Sequence, residues 1–433
     1  MASATLVLFH FPANFSSNFA QKRTFALWQE LVVGWVLCCG RHTITGMLRA
    51  LGDTASHVHD AYHRLFREGV WDQTLMWKTL SCSLVEKLCQ RFPIIYLDID
   101  DTLFHRVGRK VNGAGSYRDA VLSTKNTTVF AHGLNIIVLT LRIIPPWGRM
   151  PIGFPINVRL HRKGGKTLLE LAADMVRQVS SWLPSSHFYL CGDGAYASLG
   201  GGQLPRTVFF SRIRRDAALF GPPPPRTGKK GRPAKKGQRL PSPEQMSQLP
   251  GLNWKKVVTS IRGKSVTYRI HTMRVIWYNM CHDREVLLVI VRDPQGKQPD
   301  DYFFTTDITL QPATVVECYG GRWSIECSFR DIKQLLGGEQ PQCWKYHGPE
   351  RAAAFACCLY SIICCWYITA YSTHPLRKIN AWFPKKKTPS FADALTALRA
   401  QLWRDRINSR YDQTPEQQKI VIELLLQELA NAA

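Results

Sequence analysis

Four side chains in the C-terminal third have types and spacing suited to phosphate chemistry: Tyr319, Arg322, Glu326 and Lys333. On a helix, Arg322, Glu326 and Lys333 stand at i, i+4 and i+11, which points them the same way. Ile325, Phe329, Ile332 and Leu336 form an adjoining apolar stripe that would dock on a sheet. Acids also stand where apolar runs end. The run from Pro93 carries Asp98, Asp100 and Asp101, and the run from Phe188 ends at Asp193. Carboxylates gathered at one sheet edge repel unless a cation joins them. Mg²⁺ prefers a few carboxylates plus water and phosphate oxygens. Two such ions activate a water or 3′-hydroxyl and stabilise the leaving oxygen. Arg322, Lys333 and the Tyr319 hydroxyl would then hold DNA phosphates. An ordinary surface pair of Arg322 with Glu326 would leave the strand-end acids unexplained.

The elements that must position these groups read as follows. Residues 1–90 are mostly helical, with short helices Thr43–Leu51 and Ser56–Arg67 around Gly52. This fits a helix-turn-helix presenting His57 and Arg64 to DNA, or a plain helical bundle. Strands are expected at Pro93–Asp100, Thr127–Ile144 (broken at His132-Gly133) and Pro151–Leu160. A helix over Lys166–Leu183 and strands His187–Cys191 and Thr207–Ile213 follow. Strand after strand implies an antiparallel start, and the helix then gives a mixed sheet. Residues 221–243 interrupt the core with four consecutive prolines and a basic run containing Lys229, Lys230 and Arg232. That composition suits an exposed loop on DNA phosphate, or merely a solvated one. Strands resume over 253–306, and the chain is helical from Pro312 onward, including Thr388–Arg406 and Pro415–Asn431.

Composition narrows the partners. Lys and Arg number 56 against 32 Asp and Glu, a net charge of +24, which favours a polyanion and nucleic acid first. None of the 13 cysteines forms a Cys-x-x-Cys pair, so a zinc site or disulfide framework is not expected and a reducing cytoplasm is. Ala352–Tyr371 is long and uncharged enough to span a bilayer, but reads as a core helix. No secretory signal is read, and no membrane partner is expected.

These motifs resemble the bacterial insertion-sequence transposases of the DDE type, in the group with a Tyr-x2-Arg-x3-Glu-x6-Lys signature and a β-strand insertion. Tyr319, Arg322, Glu326 and Lys333 match that signature, with Trp323 after Arg322. Asp100-Asp101-Thr102 and Asp193-Gly194-Ala195-Tyr196 match the two strand-end motifs. The resemblance implies a multidomain α/β protein with a ribonuclease H-like core. It assigns two Mg²⁺ (or Mn²⁺) ions to Asp100, Asp193 and Glu326. Asp100 is chosen because it stands two before Thr102, and Asp98 and Asp101 stay open as alternatives. It also implies cleavage at transposon ends and transfer into target DNA by a homodimer in the bacterial cytoplasm, at the nucleoid. Tyr319, Arg322, Trp323 and Lys333 would contact DNA, and an insertion aromatic would stack on a flipped base. Trp277 is the first candidate for that stacking and Trp254 the second, against ordinary packing for each.

The implied division is a helical DNA-binding domain (1–90), a catalytic core in two parts (91–213 and 307–372), a basic β insertion (214–306) and a helical C-terminal region for dimerisation (373–433). Gly320-Gly321 departs from the pattern, since each glycine weakens a helix by about 1 kcal/mol, so Tyr319 is expected on a separate turn. Two other readings compete. Asp98-Ile99-Asp100-Asp101-Thr102 resembles the motif of haloacid-dehalogenase-type phosphatases, with Asp98 as nucleophile and Asp100 as acid/base. The consecutive strands and the basic charge speak against it. A DNA-binding relative that no longer cuts is the third reading.

Overall fold

The computed structural model describes residues 15–89, 93–124, 126–148, 150–225, 232–375, 377, 384–410, 422 and 425–426. The chain begins with α1 (Lys22–Leu37), α2 (Ile44–Leu51), α3 (His59–Arg67) and α4 (Gln73–Leu88). Side-chain caps start two of them. Thr43 accepts from the Gly46 amide at α2, and Asp72 accepts from Thr74 and Leu75 at α4.

The sheet then starts with β1 (Ile94–His105), β2 (Gly115–Arg118), β3 (Phe130–Ile143) and β4 (Ile152–His161). β1 runs five residues beyond the expected end at Asp100, because Thr102, Leu103 and Phe104 keep pairing with Ile136, Asn135 and Leu134. β3 is likewise unbroken at His132-Gly133, where β2 pairs with it. A Cβ at Gly133 would collide with the backbone of Phe104, which is why that strand carries a glycine. α5 (Leu168–Trp182) follows, opened by a reciprocal cap between Thr167 and Glu170. β5 (His187–Gly192) pairs parallel with β1, and β6 (Thr207–Arg212) pairs parallel with β5.

After α6 (Pro243–Ser247) come β7 (Lys255–Ile261), β8 (Lys264–Ile276), α7 (Tyr278–Cys281), β9 (Glu285–Arg292) and β10 (Asp301–Thr305). These strands form no sheet of their own. β10 pairs antiparallel with β6, so one ten-stranded sheet runs β2-β3-β1-β5-β6-β10-β9-β8-β7, with β4 beside β3. The order β4-β3-β1-β5-β6 agrees with a ribonuclease H-like core.

The last helices are α8 (Pro312–Gly321), α9 (Trp323–Gln334), α10 (Gly348–Ala370) and α11 (Phe391–Arg410). The apolar window of α10 is 94% buried, so its lack of charge reflects a core position. Phe355 of α10 receives three N-terminal aromatics: Trp35 at 5.1 Å, Phe66 at 5.4 Å and Trp28 at 5.7 Å between ring centroids. α11 faces inward through buried Leu398 and Leu402, and Arg399 Nε donates to the Val36 carbonyl at 2.7 Å. The expected helix at Pro415–Asn431 lies almost wholly outside the described residues.

Candidate active site

The three acids of β1 meet different surroundings, although strand alternation puts Asp98 and Asp100 on one face and Asp101 on the other. Asp98 is 0% exposed and is held by the Arg142 guanidinium, with Nε at 3.0 Å. Ser324 Oγ also donates to it at 3.2 Å, and Arg142 donates onward to the Cys318 carbonyl at 2.8 Å. Such a buried pair persists only because its hydrogen bonds are satisfied. Asp98 therefore fixes α9 to the sheet and is closed to substrate, which removes the phosphatase's nucleophile. Asp101 points to the other face and accepts from the Tyr196 hydroxyl at 2.8 Å. Asp100 shares the Arg322 guanidinium with Glu326, and Asp193 raises both Asp100 and Asp101.

Ile99 pairs with Gly192 in the parallel register, so Asp100 and Asp193 each stand one residue past the last pair of adjoining strands. Asp193 starts a 3₁₀ turn, Gly194–Gly201, by accepting from the Ala195 amide at 2.9 Å. Glu326 lies on the first turn of α9. Arg322 joins the set, with one nitrogen 2.7 Å from Asp100 and another 2.5 Å from Glu326. Burial pushes Asp100 up to about 7; Arg322 opposes this, while Asp193 and Asp101 add to it. Burial alone would lower Arg322, yet Asp100, Tyr319 and Glu326 raise it overall. One guanidinium thus partly offsets the negative charge gathered around Asp100.

The junction explains the paired glycines. Gly320 and Gly321 are the last residues of α8, and Arg322, in the right-handed helical region, is shared as its end and the start of α9. A Cβ at Gly321 would collide with the Arg142 guanidinium, so the glycine makes room for the Asp98 pair. Tyr319 accordingly sits in a helix before α9, with its ring 4.7 Å from Phe303 and guanidinium carbons of Arg212 and Arg322 each 5.7 Å from its centroid.

The remaining expected contacts divide. Lys333 Nζ donates to the Leu103 carbonyl at 2.7 Å and lies 3.8 Å from Glu339, tying α9 to β1. Trp323 is covered at 4.3 Å by Arg262 from the β7–β8 turn. Trp277 is 3% exposed and packs edge-on against Phe304 at 5.4 Å, so as it stands it is a core residue. Trp254 lies under Arg292 at 4.2 Å. His57 precedes α3 and pairs with Glu30 at 3.4 Å, while Arg64 pairs with Asp60 at 3.0 Å. Arg232 is exposed, and Lys229 and Lys230 lie outside the described residues. Sequence reasoning assigned no role to Arg142, Tyr196, Ser324 or Arg262. Only Tyr196 carried a signal, through its place in the Asp193 motif.

A hard divalent cation suits the oxygen donors of Asp100, Asp193 and Glu326. Among the described residues, no group of three or more His, Cys, Asp or Glu side chains is arranged to hold a metal, and Arg322 lies between two of these acids.

Residues 14–141 match the family model described as DDE superfamily endonuclease, and residues 152–362 match that of the transposase DDE domain. The first match contains Asp100, and the second contains Asp193 and Glu326. The chain belongs to the DDE family of transposases and endonucleases. A search of curated proteins found no match.

Proposed function

We propose that this DDE protein cuts DNA at the ends of a mobile element and joins those ends to target DNA, using Asp100, Asp193 and Glu326 as its acids. The observation that carries the reading is a single guanidinium shared by a strand acid, Asp100, and a helix acid, Glu326, with a second strand acid, Asp193, raising Asp100. Bound there, two Mg²⁺ or Mn²⁺ ions would activate the attacking oxygen and stabilise the leaving one.

The chain's own groups supply the rest. Asp100 gives up the proton that burial favours before it can serve as a ligand. Arg322, released from the carboxylates, turns to a DNA phosphate, where its planar fork suits two oxygens. Lys333 stiffens the join between α9 and β1. Trp323 with Arg262, and the basic residues of 232–274, hold the duplex beside the cut. The helices before residue 90 take the element end, with Arg64 on the outer face of α3. Paired ends call for a homodimer.

The test is Mg²⁺-dependent cleavage of a duplex carrying the element's own ends by Asp98→Asn, Asp100→Asn and Asp101→Asn. The proposal expects Asp100→Asn alone to abolish cleavage in protein that is still folded. Retained cleavage by Asp100→Asn would sink it. Release of phosphate from a small phosphomonoester, dependent on Asp98, would instead favour the phosphatase.

A further inference from the structure

Beyond the acids, β1 leads to a second surface. Its strand ends at His105, five residues past Asp100, and at about 3.3 Å per residue this is roughly 17 Å away. There the loop after β1 meets the segment after α9. Asn112 joins them twice: its amide donates to the Trp344 carbonyl at 2.8 Å, and its side chain donates to the Tyr346 carbonyl at 2.7 Å. Arg162 holds the Asn112 side chain from the other side at 2.8 Å.

What these bonds present is aromatic and basic. Trp344 is 46% exposed and Tyr346 is 59% exposed. Tyr346 has φ of 47°, a left-handed conformation that non-glycine residues seldom adopt. The backbone that carries this exposed ring is strained and is tied to a neighbouring loop through its carbonyl, as at surfaces built for contact. Lys345 Nζ lies 4.7 Å from the Trp344 ring centroid. Arg109 and Lys110, both exposed, occupy the turn that starts at Gly108, beside Asn112. Between His105 and His132 the one carboxylate is Asp119, which is buried against His105 at 2.6 Å. The nearby acids of the facing segment are paired, Glu350 with Arg162 at 3.3 Å and Glu339 with His105 at 3.2 Å, and exposed rings among cations suit unstacked nucleotides: every base has a face to stack, and the cations follow the backbone.

We propose that Trp344 and Tyr346, with Lys345, Arg109 and Lys110, bind unpaired DNA close to the cut. This rests on the reading of the protein as a DNA-cutting enzyme, and it adds a preference for distorted or single-stranded DNA at a defined place. The stretch of β1 from Asp100 to His105 alone spans about five base steps, given a rise of 3.4 Å per step.

The experiment measures fluorescence anisotropy of the full chain in EDTA with three labelled mixed-sequence probes: a single strand, its duplex, and the duplex with a central unpaired bubble. Trp344→Ala with Tyr346→Ala is expected to weaken single-strand and bubble binding about tenfold or more, and intact duplex binding less than about threefold. Trp344→Leu with Tyr346→Leu keeps apolar bulk without an aromatic face and must behave the same, which separates stacking from packing. Trp344→Phe with Tyr346→Phe must restore binding. Arg109→Gln with Lys110→Gln should weaken all three probes and flatten the salt dependence. Equal loss on all probes after ring removal, or none, overturns the proposal. So does impaired self-association with DNA binding unchanged. Because no cleavage is needed, the two readings fail separately. A wild-type protein that binds the bubble selectively but never cuts defeats only the transposase reading.

Discussion

Asp98, Asp100 and Asp101 share four positions of one strand yet meet three environments: a buried arginine, a shared guanidinium and a tyrosine hydroxyl. Their substitutions should separate accordingly. Asp98→Asn leaves Arg142 charged and buried without its counter-ion, and denaturant unfolding should register a loss of roughly 3–5 kcal/mol. Asp100→Asn removes a carboxyl that burial already disfavours in its charged form, so stability should change by no more than about 1 kcal/mol. Equal losses would contradict this division. The sequence narrows the choice to these three residues and not further. Asp98's partner lies 44 positions away, and nothing local announces it. Arg322 and Glu326 were legible because helical spacing places them together. Lys333 was legible as a member of the same face, but not its bond to the Leu103 carbonyl.

At the scale of elements, the two glycines before Arg322 make opposite predictions. A Cβ at Gly320 would meet Ile261 methyl carbon at 3.4 Å, an ordinary contact, whereas at Gly321 it would strike Arg142. Gly320→Ala should therefore be neutral or stabilising by up to about 1 kcal/mol. Gly321→Ala should destabilise by about 1–3 kcal/mol as the Asp98 pair is pushed aside. Thermal melts of the two variants decide it, and matching shifts would remove the proposed role of Gly321. The sequence shows two helix-weakening glycines and suggests a break. The structure has α8 and α9 abutting at Arg322, with one glycine there for clearance. β1 and β3 were legible as strands, but their lengths were misjudged because Asp, His and Gly are poor strand formers alone and acceptable when paired.

Across the whole molecule, the N-terminal helices and α10 share a core at Phe355. Phe355→Ala should cost roughly 3–5 kcal/mol, and calorimetry should show the loss in the transition of the sheet. An early, separate transition confined to the N-terminal helices would argue instead for a loosely attached domain. His42 reports the same join, since its amide donates to the Gln340 side chain at 2.7 Å. Burial lowers His42 to about 4, against its ordinary 6.5. The folded state thus disfavours the charged ring, so the stability is intact above 6.5 and declines as pH falls toward 4. Melting temperature should fall across that window, less steeply in His42→Gln; identical slopes would count against the assignment. The mixed sheet was legible from strand order, but not the fusion of the later strands to β6, which joins residues 93 positions apart in Phe210 and Phe303 of one cluster. The most direct measurement is Mg²⁺-dependent cleavage of a duplex bearing the element's ends by wild type and Glu326→Gln at matched stability. The account predicts that Glu326→Gln loses more than about 100-fold in rate, beyond what a merely supporting residue around a metal costs. Equal cleavage by both proteins would contradict it.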